Sequence, residues 1–216
     1  MHIQANQKVV FIGDSVTDCE RARPVGEGLF GATGKGYVTV IDSLFEAACP
    51  EKNIRVVNVG TSGNTVRDLK ARWQTDVLDL RPDWLSVMIG INDVWRQFDL
   101  PRQTEIHVPL DEYERNLSEL VTLTLPNLAG GLILMTPFHI EPRREDAMRA
   151  RMDEYGAVVR RLAHETGALF VDTQAAFDAV LAHRHSAALA WDRIHPNATG
   201  HMVLARAFLN AVGFAW

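Results

Sequence analysis

Five short apolar runs punctuate this chain, and none of them alternates with polar residues. They are Lys8 to Ile12, Ile54 to Val59, Trp84 to Ile89, Leu132 to Met135 and Ala168 to Val171. A strand with one wet face alternates; an unbroken run suits a strand covered on both faces. Longer segments between the runs carry apolar residues at helical spacing. Tyr37, Val40, Ile41, Leu44, Phe45 and Ala48 form one stripe, ended by Pro50. Asn64 reads as the N-cap of a second, through Val66, Leu69, Trp73, Val77 and Leu80. Leu110, Tyr113, Leu117, Leu120 and Thr124 form a third, ended by Pro126. Met148, Met152, Tyr155, Val159 and Leu162 form the clearest. A short helix through Phe177 and Leu181 and a last one with Met202, Ala205, Leu209 and Val212 complete the set. The Gly-rich stretch from Gly26 to Gly36 and the segment from Trp95 to Pro109 show no period and read as loops. Strand–helix alternation with doubly covered strands predicts an α/β fold, a three-layer α/β/α sandwich around a five-stranded parallel sheet.

Bulk properties narrow the partners. With 216 residues and 47% hydrophobic side chains, the chain is expected to fold as one domain over residues 1–216. A net charge of -5 leaves no basic footprint for nucleic acid or an anionic membrane. No stretch approaches the length of a membrane span. The polar start from Met1 to Lys8 has no signal-peptide core, so a cytoplasmic protein is expected. Cys19 and Cys49 lack metal-ligand or CxxC spacing and read as reduced thiols.

In open parallel sheets, ligands bind outside the carboxyl ends of the strands. Three polar stops stand there: Gly13-Asp14-Ser15, Gly60-Thr61-Ser62-Gly63 and Gly90-Ile91-Asn92-Asp93. Ser15 reads either as a nucleophile or as part of a turn capping the next helix. With Ser15 as nucleophile, the stops supply donors for a developing oxyanion. Those are backbone N–H groups and the Asn92 amide. Gly60, lacking a Cβ, would let an ester approach the backbone; its alternative reading is a tight turn. Asn92 reads otherwise as a turn or helix cap. The missing base stands near the C-terminus, where His195 precedes Pro196 and is biased to an extended loop. Asp192, three residues earlier, can hold Nδ1–H and leave Nε2 free to take the Ser15 proton. The order Ser, Asp, His is shared with α/β-hydrolases, but no Gly-x-Ser-x-Gly elbow surrounds Ser15.

Gly13-Asp14-Ser15 with Thr17-Asp18, Gly60, Gly90-Ile91-Asn92-Asp93 and Asp192-Arg193-Ile194-His195-Pro196, in that order, resemble the SGNH hydrolases, also called the GDSL esterase/lipase family. The resemblance implies a flavodoxin-like sandwich and a serine esterase that needs neither metal nor cofactor. It implies Ser15 as nucleophile, Asp192 and His195 as orienter and base, and the Ser15 and Gly60 N–H groups and the Asn92 amide as oxyanion donors. Asn64 to Trp73, Gly90 to Gln97 and Leu189 to Arg193 are similar to the intracellular acetylxylan esterases of that family. That narrower likeness implies small acetylated xylo-oligosaccharides as substrates, through an acetyl-serine intermediate. His195 must be neutral to act as base, so activity should fall at acidic pH.

Other residues carry weaker readings. Trp95 and Trp191 flank two of the blocks and read as a substrate wall or as core and subunit packing; Phe138 has the same standing. Exposed aromatics near the C-terminus leave a homo-oligomer open. Asp14 reads as a holder of the serine loop, and Cys19 as a poor rival nucleophile. His183 and His185 read as a solvated loop, because no carboxylate or Cys completes a metal set. Arg143, Arg144, Arg149, Arg151, Arg160 and Arg161, mixed with Glu145, Asp146, Asp153 and Glu154, read as a solvated or subunit-facing helix surface. Two rival functions stand beside the acetylesterase. One is a lysophospholipase, thioesterase or arylesterase with the same chemistry. The other is a non-catalytic flavodoxin-like module binding a phosphate or flavin at the Gly60 turn.

Overall fold

A computed structural model describes all 216 residues. The five apolar runs are parallel strands: β1 (Lys8–Gly13), β2 (Arg55–Asn58), β3 (Trp84–Met88), β4 (Gly131–Met135) and β5 (Leu169–Val171). They form one sheet in the order β2-β1-β3-β4-β5, so the chain reverses its direction of travel across the sheet after β2. Val9, Val10, Phe11, Leu85, Val87, Ile133 and Leu134 are all buried, as unbroken apolar runs require. The helices are α1 (Ser15–Asp18), α2 (Tyr37–Ala48), α3 (Val66–Trp73), α4 (Ile91–Asp99), α5 (Leu110–Thr124), α6 (Ala147–Thr166), α7 (Thr173–Leu181) and α8 (Ala198–Ala211). They pack in two groups, α2 with α8 and α7, and α3 with α5, α6 and α4. None is long and apolar enough to cross a membrane.

Three local readings change. The N-cap of α3 is Thr65, not Asn64. Thr65 and Asp68 form a capping box, in which Asp68 accepts the Thr65 N–H at 2.8 Å. Helix α4 runs on through Asp99 and so takes in the start of the segment from Trp95 to Pro109 that reads as a loop, and Asn92 stands in its first turn. Met202 is 42% exposed and lies outside the buried stripe of α8.

The register sets the site. Gly13 pairs with Met88, so β1 and β3 end level. Beyond β2, the Val59 N–H donates to Phe11 O and the Thr61 N–H to Gly13 O, at 2.9 and 3.0 Å. The Gly60 turn therefore tracks β1 to its end and arrives beside Asp14 and Ser15.

Candidate active site

Ser15 opens the one-turn helix α1. Asp14 caps that turn, its Oδ1 accepting the Val16 N–H at 3.0 Å, so the capping in this stretch comes from Asp14. Ser15 is the first residue of α1, where an N–H has no carbonyl one turn back to bind. The Ser15 hydroxyl lies 2.9 Å from His195 Nε2. On the other side of the ring, His195 Nδ1 lies 2.6 Å from Asp192 Oδ2. A carboxylate only accepts, so Nδ1 carries the proton and Nε2 is left as the acceptor for Ser15 Oγ–H. Asp192 Oδ1 accepts the Ile194 and His195 N–H groups at 2.9 and 2.8 Å. Burial raises the Asp192 carboxyl, but its bonds from His195 and the two backbone N–H groups outweigh that, and it sits below its ordinary value.

Asn92 is 2% exposed. Its Nδ2 donates to Asn64 O at 2.9 Å, and its Oδ1 accepts from Arg96 Nη2 at 3.3 Å. One amide hydrogen remains for another acceptor. Gly60 differs from expectation in two ways. A Cβ there would lie 2.3 Å from Asp18 N, so the bare face of Gly60 is turned to α1 and not to an incoming ester. Its N–H also donates to Asn58 Oδ1 at 2.9 Å.

Several residues that the sequence reading passed over hold this edge together. Buried Asn58 spends its whole amide on it, with Nδ2 donating to Thr17 O and Thr33 O at 2.6 and 2.8 Å while Oδ1 serves Gly60. Arg72 donates to Gly13 O, Val59 O and the Asn64 side chain, at 3.0, 2.7 and 2.6 Å. Asp93 Oδ1 accepts the Val66 N–H at 3.0 Å and ties α4 to the start of α3. A carboxylate between Asn92 and Val94 gives no sign of burial in the sequence; the fold turns it inward.

The aromatics separate. The Trp95 ring stands edge-on to His195, with centroids 5.8 Å apart, so Trp95 borders the site. Trp191 is 87% exposed beside Asp192. Phe138 is fully buried against Phe177 and belongs to the core, not to a wall. Arg149 is likewise no surface residue. It is 2% exposed, and it pairs with Asp153 and Asp178 at 2.9 and 2.8 Å. Cys19 Sγ lies 3.5 Å from His201 Nε2, but the Tyr37 N–H donates to His201 Nδ1, so Nε2 carries the ring proton. That ring offers a proton to the sulfur instead of taking one, and burial raises the thiol pKa. A polar cleft of about 220 Å³ between α6 and α7 holds Arg149, Arg160, Asp153, Asp172 and Asp178, which pair among themselves and include no nucleophile.

Residues 11–203 match the model of the GDSL-like Lipase/Acylhydrolase family. The chain belongs to that family. It is 62% identical over 216 residues to an acetylxylan esterase of Geobacillus stearothermophilus, covering 100% of this chain and 98% of that protein. The crystal structure of that enzyme superposes with a TM-score of 0.99 at 61% identity, over 100% of this chain and 98% of the other. A catalytic mutant of it, with a serine replaced by alanine, superposes equally well, with a TM-score of 0.99 at 61% identity over 100% of this chain and 98% of that one. An alpha/beta hydrolase enzyme from the metagenome of Lake Arreo, Spain, is similar at 58% identity with a TM-score of 0.97, over 99% of this chain and 98% of that one.

Proposed function

We propose that this family member is a serine esterase that removes acetyl groups from acetylated xylo-oligosaccharides. The observation that carries the reading is the hydrogen-bonded line from Ser15 Oγ through His195 to Asp192. Full-length similarity to an acetylxylan esterase supports the acyl and sugar classes.

In the proposed reaction, His195 Nε2 takes the Ser15 proton as Oγ attacks the acetyl carbonyl carbon. The Ser15 N–H and the free Asn92 amide hydrogen face the developing oxyanion. Gly60 N–H joins them only by sharing its bond with Asn58. As the tetrahedral intermediate collapses, His195 returns the proton to the leaving sugar oxygen, and acetyl-Ser15 remains. Water, its proton taken by His195, then adds to the acetyl carbon. Collapse releases acetate and restores the Ser15 hydroxyl. Asp192 stays ionised throughout, as its lowered carboxyl favours. Trp95, against His195, and exposed Trp191 form the wall for the sugar, since an indole offers it a flat apolar face. The reading also takes residues 1–216 as one catalytic domain, acting in the cytoplasm. Exposed Trp191 and Trp216, at 87% and 65%, support self-association.

The test is acetate release from acetylated xylo-oligosaccharides, set beside hydrolysis of acetyl and octanoyl esters of one alcohol. The wild-type chain is expected to release acetate and to prefer the acetyl ester. Ser15→Ala is expected to lose turnover by about 1,000-fold or more. A preference for octanoyl esters would favour the lysophospholipase or thioesterase reading. A colourless protein that reacts stoichiometrically at Ser15 with a serine-directed phosphonate would exclude a flavin module, and a protein without any esterase activity would overturn the proposal.

A further inference from the structure

Arg193 lies between Asp192 and His195, and its backbone sits in the left-handed region at φ 64°. A residue with a Cβ disfavours that conformation by roughly tenfold or more in population. The bend cannot be dispensed with. It turns the Ile194 and His195 N–H groups back onto Asp192 Oδ1, and so sets Oδ2 against His195 Nδ1. A conformation of this kind persists only where the surroundings impose it.

The imposing contacts come from the segment that follows β4. Glu141 is 4% exposed, and its Oε2 accepts Arg193 Nη1 at 2.7 Å. One residue earlier, the Ile140 N–H donates to Arg193 O at 2.9 Å. Two consecutive residues thus grip the carbonyl and the guanidinium of Arg193. Glu141 is itself anchored. Its Oε1 accepts the Arg143 N–H at 3.0 Å, and its carbonyl accepts buried Arg149 Nη1 at 2.6 Å. Burial pulls the Glu141 carboxyl up, but the Arg143 N–H and the Arg193 and Arg143 guanidiniums pull it further down, so it remains charged.

We propose that Glu141 is a positioning residue for the Asp192–His195 pair. It clamps Arg193 in the left-handed backbone and so maintains the carboxylate–imidazole geometry that proton transfer from Ser15 requires. The proposal rests on the reading of His195 as general base. Glu141 acts through Arg193 and touches no reacting group.

The test compares turnover of a chromogenic aryl acetate by Glu141→Gln, Arg193→Met, Arg193→Gly and the Glu141→Gln/Arg193→Gly double variant, with Ser15→Ala alongside. Glu141→Gln and Arg193→Met are each expected to lower kcat about 10- to 100-fold with KM within about twofold. Arg193→Gly loses the same ion pair, but glycine holds a positive φ without strain. It should turn over at least about fivefold faster than Arg193→Met, and the double variant should match it. Arg193→Gly as slow as Arg193→Met, or Glu141→Gln at the wild-type rate, would overturn the proposal. Should Glu141→Gln not fold, the two Arg193 variants decide alone, because that side chain is 44% exposed. Ser15→Ala at wild-type turnover would instead overturn the site reading beneath the proposal, whatever the Glu141 variants do.

Discussion

Asn92 is fixed from two sides, and this decides what its amide can offer. Arg96 claims the oxygen and Asn64 O claims one hydrogen, so a flipped amide would set NH₂ against a guanidinium. Only the second hydrogen is left to donate. In the proposed reaction it meets an oxyanion that exists fully only in the transition state, so its loss should appear in kcat rather than KM. Asn92→Ala is therefore expected to lower kcat about 100- to 1,000-fold with KM little changed. Steady-state kinetics on an acetyl ester checks it; an unchanged kcat would remove Asn92 from the role. Gly60 illustrates the opposite lesson. Its lack of a Cβ is required by α1 packing against it, a contact that no spacing in the sequence could announce.

Among the elements, what was legible followed from local chemistry. The strands were readable because a doubly covered strand must be apolar throughout, and Ser15 because a polar triplet interrupts such a run at its exit. The Asp192–His195 pair was readable because His195 follows Asp192 by only three positions. Helix α4 was hidden by its own contents. Gly90, at φ 129°, starts it without a side-chain cap, and buried Asn92 and Asp93 break the apolar period expected of a covered helix. The α3 cap was misread by one residue because Asn64 and Thr65 are both good caps, and the deciding partner is Asp68. Arg149 read as solvated because its sequence neighbours are charged. Its partner Asp178, on α7, lies 29 residues away and becomes a neighbour only in the folded chain. Asn58 and Glu141 escaped for the same reason, since the groups they hold are distant in the chain.

Across the whole molecule, the fold buries ionisable groups beneath the site, and this couples stability to pH. Asp14 and Asp93 are fully buried, each has an unpartnered Oδ2, and burial pushes each carboxyl up to about 7. A carboxyl raised from 3.8 keeps its proton in the fold. Its stabilising contribution is complete below 3.8 and is lost as pH rises through about 7. His201 runs the other way. Burial, then repulsion by His195, lowers it from 6.5 to about 4, so its contribution is complete above 6.5 and is lost as pH falls through about 4. Asp93→Asn removes one of the two carboxyls and leaves His201 in place. The Tm of the wild type minus that of Asp93→Asn is thus expected to shrink between about pH 5 and pH 8. Thermal unfolding across that range checks the sign, and a difference that grows with pH would contradict it.

The same packing brings four separate stretches of chain to one edge of the sheet, around one hydroxyl. That hydroxyl is Ser15 Oγ, on which the proposed chemistry depends. The most direct measurement is titration with a serine-directed fluorophosphonate, with the labelled residue mapped by peptide mass spectrometry and acetate release from acetylated xylo-oligosaccharides followed in parallel. One phosphonate per chain, on Ser15, and loss of acetate release in proportion to labelling are expected. Labelling elsewhere, or acetate release that persists in the fully labelled protein, would contradict the proposed chemistry.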